Sequence, residues 1–281
     1  MTTGQPTTGV PTFARAAERV YRGYLLDLDG TVYLGSAPLP GAVEAIARLR
    51  ELGSRFVFLS NNPLHRPAAY AEKLRGMGIA VRDEEVVSSI DALVDYLRER
   101  PPARILPICE PLLEGILVEA GHELVRVPLH ADAVVLSWDR GFTYDKLHAA
   151  YVAIRNGARL IATNADPYCP TPDGGLPDCG ALLAAVETAT GTVAEAVVGK
   201  PSVHIARTAL DRLGVPAGDV LMVGDRLLTD VALARRAGMV AALVLTGATT
   251  LADVPPPPDG PDVVLDALAR LIPPPPNGEY E

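Results

Sequence analysis

Short apolar runs rich in β-branched residues, each followed by a stretch of helical periodicity, constrain this chain more than any other feature. The runs are YLLDL (24–28), FVFLS (56–60), AVVGK (196–200), VLMVG (220–224) and AALVLTG (241–247). None alternates polar and apolar residues, so each reads as a strand covered on both faces. Helical stretches lie between them. In 42–53 the residues Val43, Ile46, Ala47, Leu49 and Arg50 recur at helical spacing and Gly53 supplies the stop, and 66–78 and 203–214 repeat the arrangement. Strand, helix, strand with short connections implies right-handed crossovers and a parallel sheet, hence an α/β fold.

One interruption divides the pattern. After a helix over 91–100 comes Pro101-Pro102, then about 90 residues with their own strand candidates at 104–108, 133–138 and 158–164 and helix candidates at 111–121 and 144–157. The organisation expected is a discontinuous core of residues 21–100 and 194–281, carrying an inserted smaller α/β domain over 101–193. Residues 1–20 read as a disordered lead-in. The proline runs at 255–258 and 273–276 read as extended, semi-rigid segments.

Ligands of open parallel sheets bind at the carboxyl ends of the strands, and four of these runs end in polar residues. The first delivers Asp27 and Asp29, the second Ser60 and Asn61, the third Lys200, and the fourth Asp225 with Asp230 five residues on. Any one acid there could simply cap the following helix. Four strand ends converging on carboxylates, a hydroxyl and a lysine point to a shared site.

Composition limits what that site serves. The formal charge of −9 disfavours nucleic-acid partners, which require many phosphates to be neutralised. No apolar run reaches the roughly 20 residues that span a bilayer, so no membrane partner is expected. Three cysteines, Cys109, Cys169 and Cys179, do not make a disulfide framework, and the expected location is the reducing cytoplasm. Gly199-Lys200 lacks the Ser or Thr that ends a P-loop, no GxGxxG opens a helix, and the five histidines show no metal spacing. Trp138 and Tyr151 read as core of the inserted domain.

DLDGT, LSNN, GKPS and GDRLLTD, in that order, resemble the four-motif signature of the haloacid dehalogenase-like (HAD) superfamily. YLG after DGT, SNNPLHRPAAYAEKLRGMGI (60–79), TNADPYCPTPDGGLPDCGALLAAVETATG (163–191) and GDRLLTDVALARRAGM (224–239) narrow the resemblance to the NagD and p-nitrophenyl phosphatase-like branch. That branch carries a large α/β cap between the second and third motifs. The fold implied is a Rossmann-like parallel-sheet core with an inserted cap.

The resemblance implies a Mg2+-dependent phosphatase of small phosphorylated metabolites such as sugar phosphates, glycerol phosphate, nucleoside monophosphates or phosphoglycolate. Asp27 holds the family's nucleophile position, forming an aspartyl-phosphate that divides one hard step into two. Asp29, two residues along a strand, points to the same side and can move the proton. An all-oxygen site suits Mg2+; the implied ligands are Asp27, the backbone carbonyl of Asp29, and Asp225, with Asp230 supporting the metal's waters or Lys200. Ser60, the Asn61 backbone amide and Lys200 would hold the phosphate. In the cap loop 163–175, Asn164, Asp166, Tyr168 and Cys169 are candidates for substrate contact, although Asn164 and Asp166 could equally hold the turn. Cys169 departs from the vitamin B6 phosphatases, which carry histidine there, and Asp178 stands where relatives usually carry glycine. A homodimer formed through the cap is also implied. The alternatives are a protein that binds or senses phosphorylated metabolites without turnover and another phosphotransferase such as a phosphomutase. A phosphonatase would need an imine-forming lysine in the insert, where Lys146 stands alone.

Overall fold

The computed structural model describes residues 16–169, 175–256 and 259–273. Most of the expected lead-in, parts of both proline runs and the tip of the 163–175 loop lie outside the described residues. From the N-terminus come β1 (Gly23–Asp27), the hairpin β2 and β3 (Tyr33–Leu34, Ala37–Pro38), α1 (Ala42–Glu51), β4 (Arg55–Ser60), α2 (Pro67–Gly76), β5 (Val86–Ser88) and α3 (Ser89–Glu99). There follow β6 (Arg104–Ile108), α4 (Pro111–Glu119), β7 (Glu123–Leu124), β8 (Ala133–Leu136), α5 (Tyr144–Arg155) and β9 (Arg159–Ala162). A hairpin of β10 and β11 (Tyr168–Cys169, Leu176–Pro177), α6 (Cys179–Thr190) and β12 (Ala196–Val197) complete that region. The chain ends with α7 (Val203–Leu213), β13 (Val220–Gly224), a π-helical turn (Leu227–Val231), α8 (Ala232–Ala237), β14 (Val240–Val244) and β15 (Val263–Leu265).

Two parallel sheets result, one in the order β15-β14-β13-β1-β4-β5 and the other in the order β12-β9-β8-β6-β7. In the first, β1 is central and all five of its residues are buried. Its side chains alternate as a pleated strand requires: Tyr24 and Leu26 join one apolar cluster with α1 and α2, whereas Leu25 joins another with α3 and α7. That second cluster continues without a break to Ile105, Val135 and Ile161 of the other sheet. The opposite face of the second sheet packs against α5 and α6 through Leu106, Val134, Leu136, Ile154 and Val186.

Several helix ends are set by local chemistry. Ser88 caps α3 while the Asp91 carboxylate accepts the Ser88 N–H, a reciprocal capping box. Ser202 caps α7, which stops at Gly214 in the left-handed conformation.

Two expectations need correction. The run 196–200 does not form a strand of the first sheet; only Ala196–Val197 is extended, and it pairs with β9 at the edge of the second. An apolar run carries no mark of which sheet it joins, because pairing partners are distant in sequence. Tyr151 is 40% exposed on α5 rather than buried, whereas Trp138 is 3% exposed.

Candidate active site

The carboxyl end of β1 leads straight into the site. Leu28 carbonyl accepts the N–H groups of Thr31, Val32 and Tyr33, and Gly30 N–H donates to the Tyr33 carbonyl at 2.8 Å, folding 28–33 into a tight turn. Gly30 sits at φ 85°, a left-handed conformation that a side chain resists, and a Cβ there would lie 2.6 Å from Asp225 Oδ2. Glycine therefore both makes the turn and admits the carboxylate of the neighbouring strand end.

Lys200 lies at the centre. Its Nζ donates to Asp27 Oδ1 and, at 2.7 Å, to Asp230 Oδ1, and the lysine is 4% exposed. One oxygen each of Asp27, Asp225 and Asp230 lies within 4.8 Å of the others. Asp27 Oδ2 also accepts the Thr31 hydroxyl at 3.2 Å. Asp225, following β13, accepts the Ala248 N–H at 2.6 Å, and Asp230 is turned inward by the π-helical turn, its Oδ2 accepting the Arg226 N–H at 3.1 Å. Among the described residues this is the one group of acids and histidines close enough to hold a metal ion.

Crowding three buried carboxylates around one ammonium has an electrostatic result. Burial, followed by the charges of Asp230 and Asp225, pushes Asp27 up to about 8 against the pull of Lys200. Asp225 is raised by burial and by Asp230. Burial disfavours the charge on Lys200, but Asp230 and Asp27 hold its amine above the ordinary range. The cluster carries more negative charge than one lysine offsets, and its donors are all oxygens, which suits a hard divalent cation.

Lys200 is not delivered by a strand of the main sheet; Asn61 holds it. At the end of β4, Asn61 Oδ1 accepts the Lys200 N–H at 2.7 Å and its Nδ2 donates to the Lys200 carbonyl at 3.1 Å and to Asp166 Oδ2 at 2.9 Å. Ser60 is buried, with its Oγ accepting the Asn62 N–H at 3.2 Å. Asp29 lies at the exposed side of the turn, where its Oδ2 accepts the Tyr33 hydroxyl at 3.3 Å. Surrounding protein desolvates its carboxyl and raises its pKa, opposed by Lys73 and by that hydroxyl.

The loop residues divide into two kinds. Asn164 is fully buried and donates to Asp166 Oδ2 at 3.2 Å and Asp178 Oδ1 at 3.4 Å, so it holds the turn. Asp166 ties the loop to Asn61. Tyr168 is 52% exposed on the hairpin, and the thiol of its neighbour Cys169 is raised by burial and by the charges of Asp178 and Asp29. Asp178, given no role by sequence, accepts the Cys179 N–H as the cap of α6. Lys146 is paired with buried Asp139 at 2.6 Å. Thr31, Tyr33 and Arg226 were not singled out by sequence, although all three lie inside or beside the motifs DGT, YLG and GDRLLTD. Arg226 is half-buried; burial opposes its charge, but the charges of Asp225, Asp166 and Asp27 hold its guanidinium above the ordinary range.

A family model described as haloacid dehalogenase-like hydrolase matches residues 24–123, and a second HAD-hydrolase-like model matches 197–271. An acid sugar phosphatase of Staphylococcus aureus is 39% identical over 235 residues, covering 83% of this chain and 90% of the relative. The crystal structure of a 4-nitrophenylphosphatase from Thermotoga maritima superposes with a TM-score of 0.82 at 38% identity, covering 89% of this chain and 95% of that one. NagD from E. coli superposes with a TM-score of 0.82 at 30% identity, covering 90% and 99%. With two models of that family matched over 24–123 and 197–271 and a relative 39% identical across most of both chains, the chain belongs to the haloacid dehalogenase-like hydrolase family.

Proposed function

We propose that this protein is a Mg2+-dependent phosphatase of small phosphorylated metabolites, with sugar phosphates the foremost class, acting through an aspartyl-phosphate on Asp27. The observation that carries this reading is Lys200 bridging Asp27 and Asp230 with Asp225 beside them at the end of β1. The names of the relatives, an acid sugar phosphatase and a 4-nitrophenylphosphatase, support the reaction and the substrate class.

In this reading Asp27, Asp225 and the Asp29 carbonyl would hold Mg2+, with Asp230 supporting its waters or Lys200. When bound, the ion supplies positive charge that neutralises phosphoryl oxygens. Ser60, the Asn61 amide and Lys200 bind and orient the phosphoryl group. Asp27 attacks phosphorus with a carboxylate oxygen, the bond from phosphorus to the ester oxygen breaks, and Asp29 delivers its proton to the departing alkoxide. Water then attacks the phosphorus of the aspartyl-phosphate, Asp29 takes a proton from it, and the bond to Asp27 breaks to release phosphate.

Residues 101–193 would act as a cap over a core of 21–100 and 194–281, with Asp166, Tyr168 and Cys169 facing the leaving group and limiting its size. The reading includes cytoplasmic action without nucleic-acid or membrane partners; the net charge of −9 disfavours binding to phosphate backbones, and among the described residues no helix is long and apolar enough to cross a bilayer. A homodimer formed through the cap rests on the family resemblance alone.

The test is phosphate release from a panel of phosphorylated metabolites, with and without Mg2+. Asp27→Asn should abolish release while the phosphate ester still binds. Equal binding by wild type and variant, with release by neither, would establish a binding or sensing protein instead.

A further inference from the structure

The general acid of such a reaction must present its proton to the leaving oxygen, and a carboxyl group has two oxygens on which that proton can sit. Around Asp29 these two oxygens are not equivalent. Oδ2 accepts the hydroxyl of Tyr33 at 3.3 Å. Tyr33 is fully buried, and its backbone is tied into the same turn as Asp29 through Leu28 and Gly30, so ring and carboxyl are fixed relative to each other. A phenol carries its proton at neutral pH and a carboxylate oxygen can only accept, so the Tyr33 hydroxyl is the donor. Lys73, from α2, places its Nζ 3.6 Å from the centre of the Tyr33 ring. A cation over the ring withdraws electron density and strengthens donation by the hydroxyl.

We propose that Tyr33, backed by Lys73, is a positioning residue that occupies Asp29 Oδ2 and so confines the transferable proton of Asp29 to Oδ1, facing the leaving group. An oxygen already accepting a hydroxyl hydrogen is the poorer seat for a second proton. Tyr33 itself touches neither phosphorus nor leaving group. The inference rests on the phosphatase reading and adds to it the residues that aim the acid.

Leaving-group dependence separates aiming from mere support. An alkoxide needs a proton to depart, whereas 4-nitrophenolate leaves without one. The quantity to measure is kcat/KM, which reports on the steps up to departure of the leaving group, for 4-nitrophenyl phosphate and for a sugar phosphate such as glucose 6-phosphate. Tyr33→Phe should lower kcat/KM for the sugar phosphate about tenfold more than for the aryl ester. Lys73→Met should produce a smaller bias in the same direction, and Lys73→Arg, which keeps the cation, should restore the wild-type ratio. In an Asp29→Asn background, Tyr33→Phe should add no further bias, since there is then no acid to aim. Circular dichroism and thermal melting establish that each variant is folded.

Equal losses on both esters, or a bias that persists in the Asp29→Asn background, would overturn the positioning role and leave the phosphatase reading intact. If folded wild-type protein releases phosphate from neither ester nor from any member of the metabolite panel, the phosphatase reading fails and this inference falls with it.

Discussion

Asn61 engages both backbone groups of a single residue: its Oδ1 accepts the Lys200 N–H at 2.7 Å and its Nδ2 donates to the Lys200 carbonyl at 3.1 Å. A side chain at the end of β4 thereby performs for Lys200 what a neighbouring strand does for an ordinary sheet residue. The lysine is built into the core without belonging to its sheet.

Asn61→Ala should therefore act on stability and turnover together. It strands two buried backbone groups of Lys200, while Asp166 Oδ2 keeps the Asn164 amide, at a cost of about 2–4 kcal/mol. Urea unfolding measures the first effect, and a fall of about a hundredfold in kcat, through misplacement of Lys200, measures the second.

Gly199→Ala should be as damaging although no polar group is lost. A Cβ at that position would lie 2.5 Å from the Thr163 carbonyl and 2.8 Å from Asn61 Oδ1, both fixed by other bonds. Destabilisation of about 2–4 kcal/mol is expected, whereas Gly218→Ala, with nothing within 4 Å, should stay within about 0.5 kcal/mol of wild type. Thermal melts of the two variants side by side make the comparison.

Mg2+ should raise the melting temperature in the absence of any substrate, because it relieves the repulsion of Asp27, Asp225 and Asp230. At a hundredfold excess over its dissociation constant the gain is about 2.7 kcal/mol, reversed by chelation and absent in Asp225→Asn. The gain should shrink as the pH falls from 8 towards 6, since protons compete for Asp27, whose carboxyl is raised to about 8.

Asp178 supplies a pH signature of stability. Burial pushes its carboxyl up to about 6 from an ordinary 3.8, partly offset by the Cys179 N–H. A folded-state value above the unfolded one means that the folded protein holds the proton more tightly, so stability from this group is full below the unfolded value and is lost as pH rises through the window between the two. Asp178→Asn keeps a capping oxygen without the charge. Its stability relative to wild type should rise by about 1–3 kcal/mol between pH 4 and pH 7, as read by denaturant midpoints at several pH values.

Much of this site was legible because its motifs are local. Asp27 and Asp29 share one turn, and Asp225 and Asp230 share another, so spacing along the chain carries their geometry. Lys200 was legible as a residue but not in its placement, because AVVGK reads the same whether it joins the first sheet or the edge of the second. Asp178 carried a signal that could have been read: an acid immediately before the apolar stretch of α6. Tyr33 and Lys73 carried none, since a cation meets a ring across 40 residues only after α2 has packed beside the turn. Tyr151 shows the same limit, for helical spacing does not say which stripe of α5 faces water.

The order of strands in the first sheet also has a consequence during synthesis. β1 emerges early and pairs with β4, yet its other edge waits for β13, which follows only after the entire second sheet has been made. At roughly 5–20 residues per second, translating the intervening stretch of roughly 160 residues takes on the order of ten seconds. Through that interval the nascent chain carries an unpaired strand edge, its backbone N–H and C=O groups bare, at what will become its centre, a surface suited to capture by chaperones and, when they are scarce, to pairing with the wrong chain.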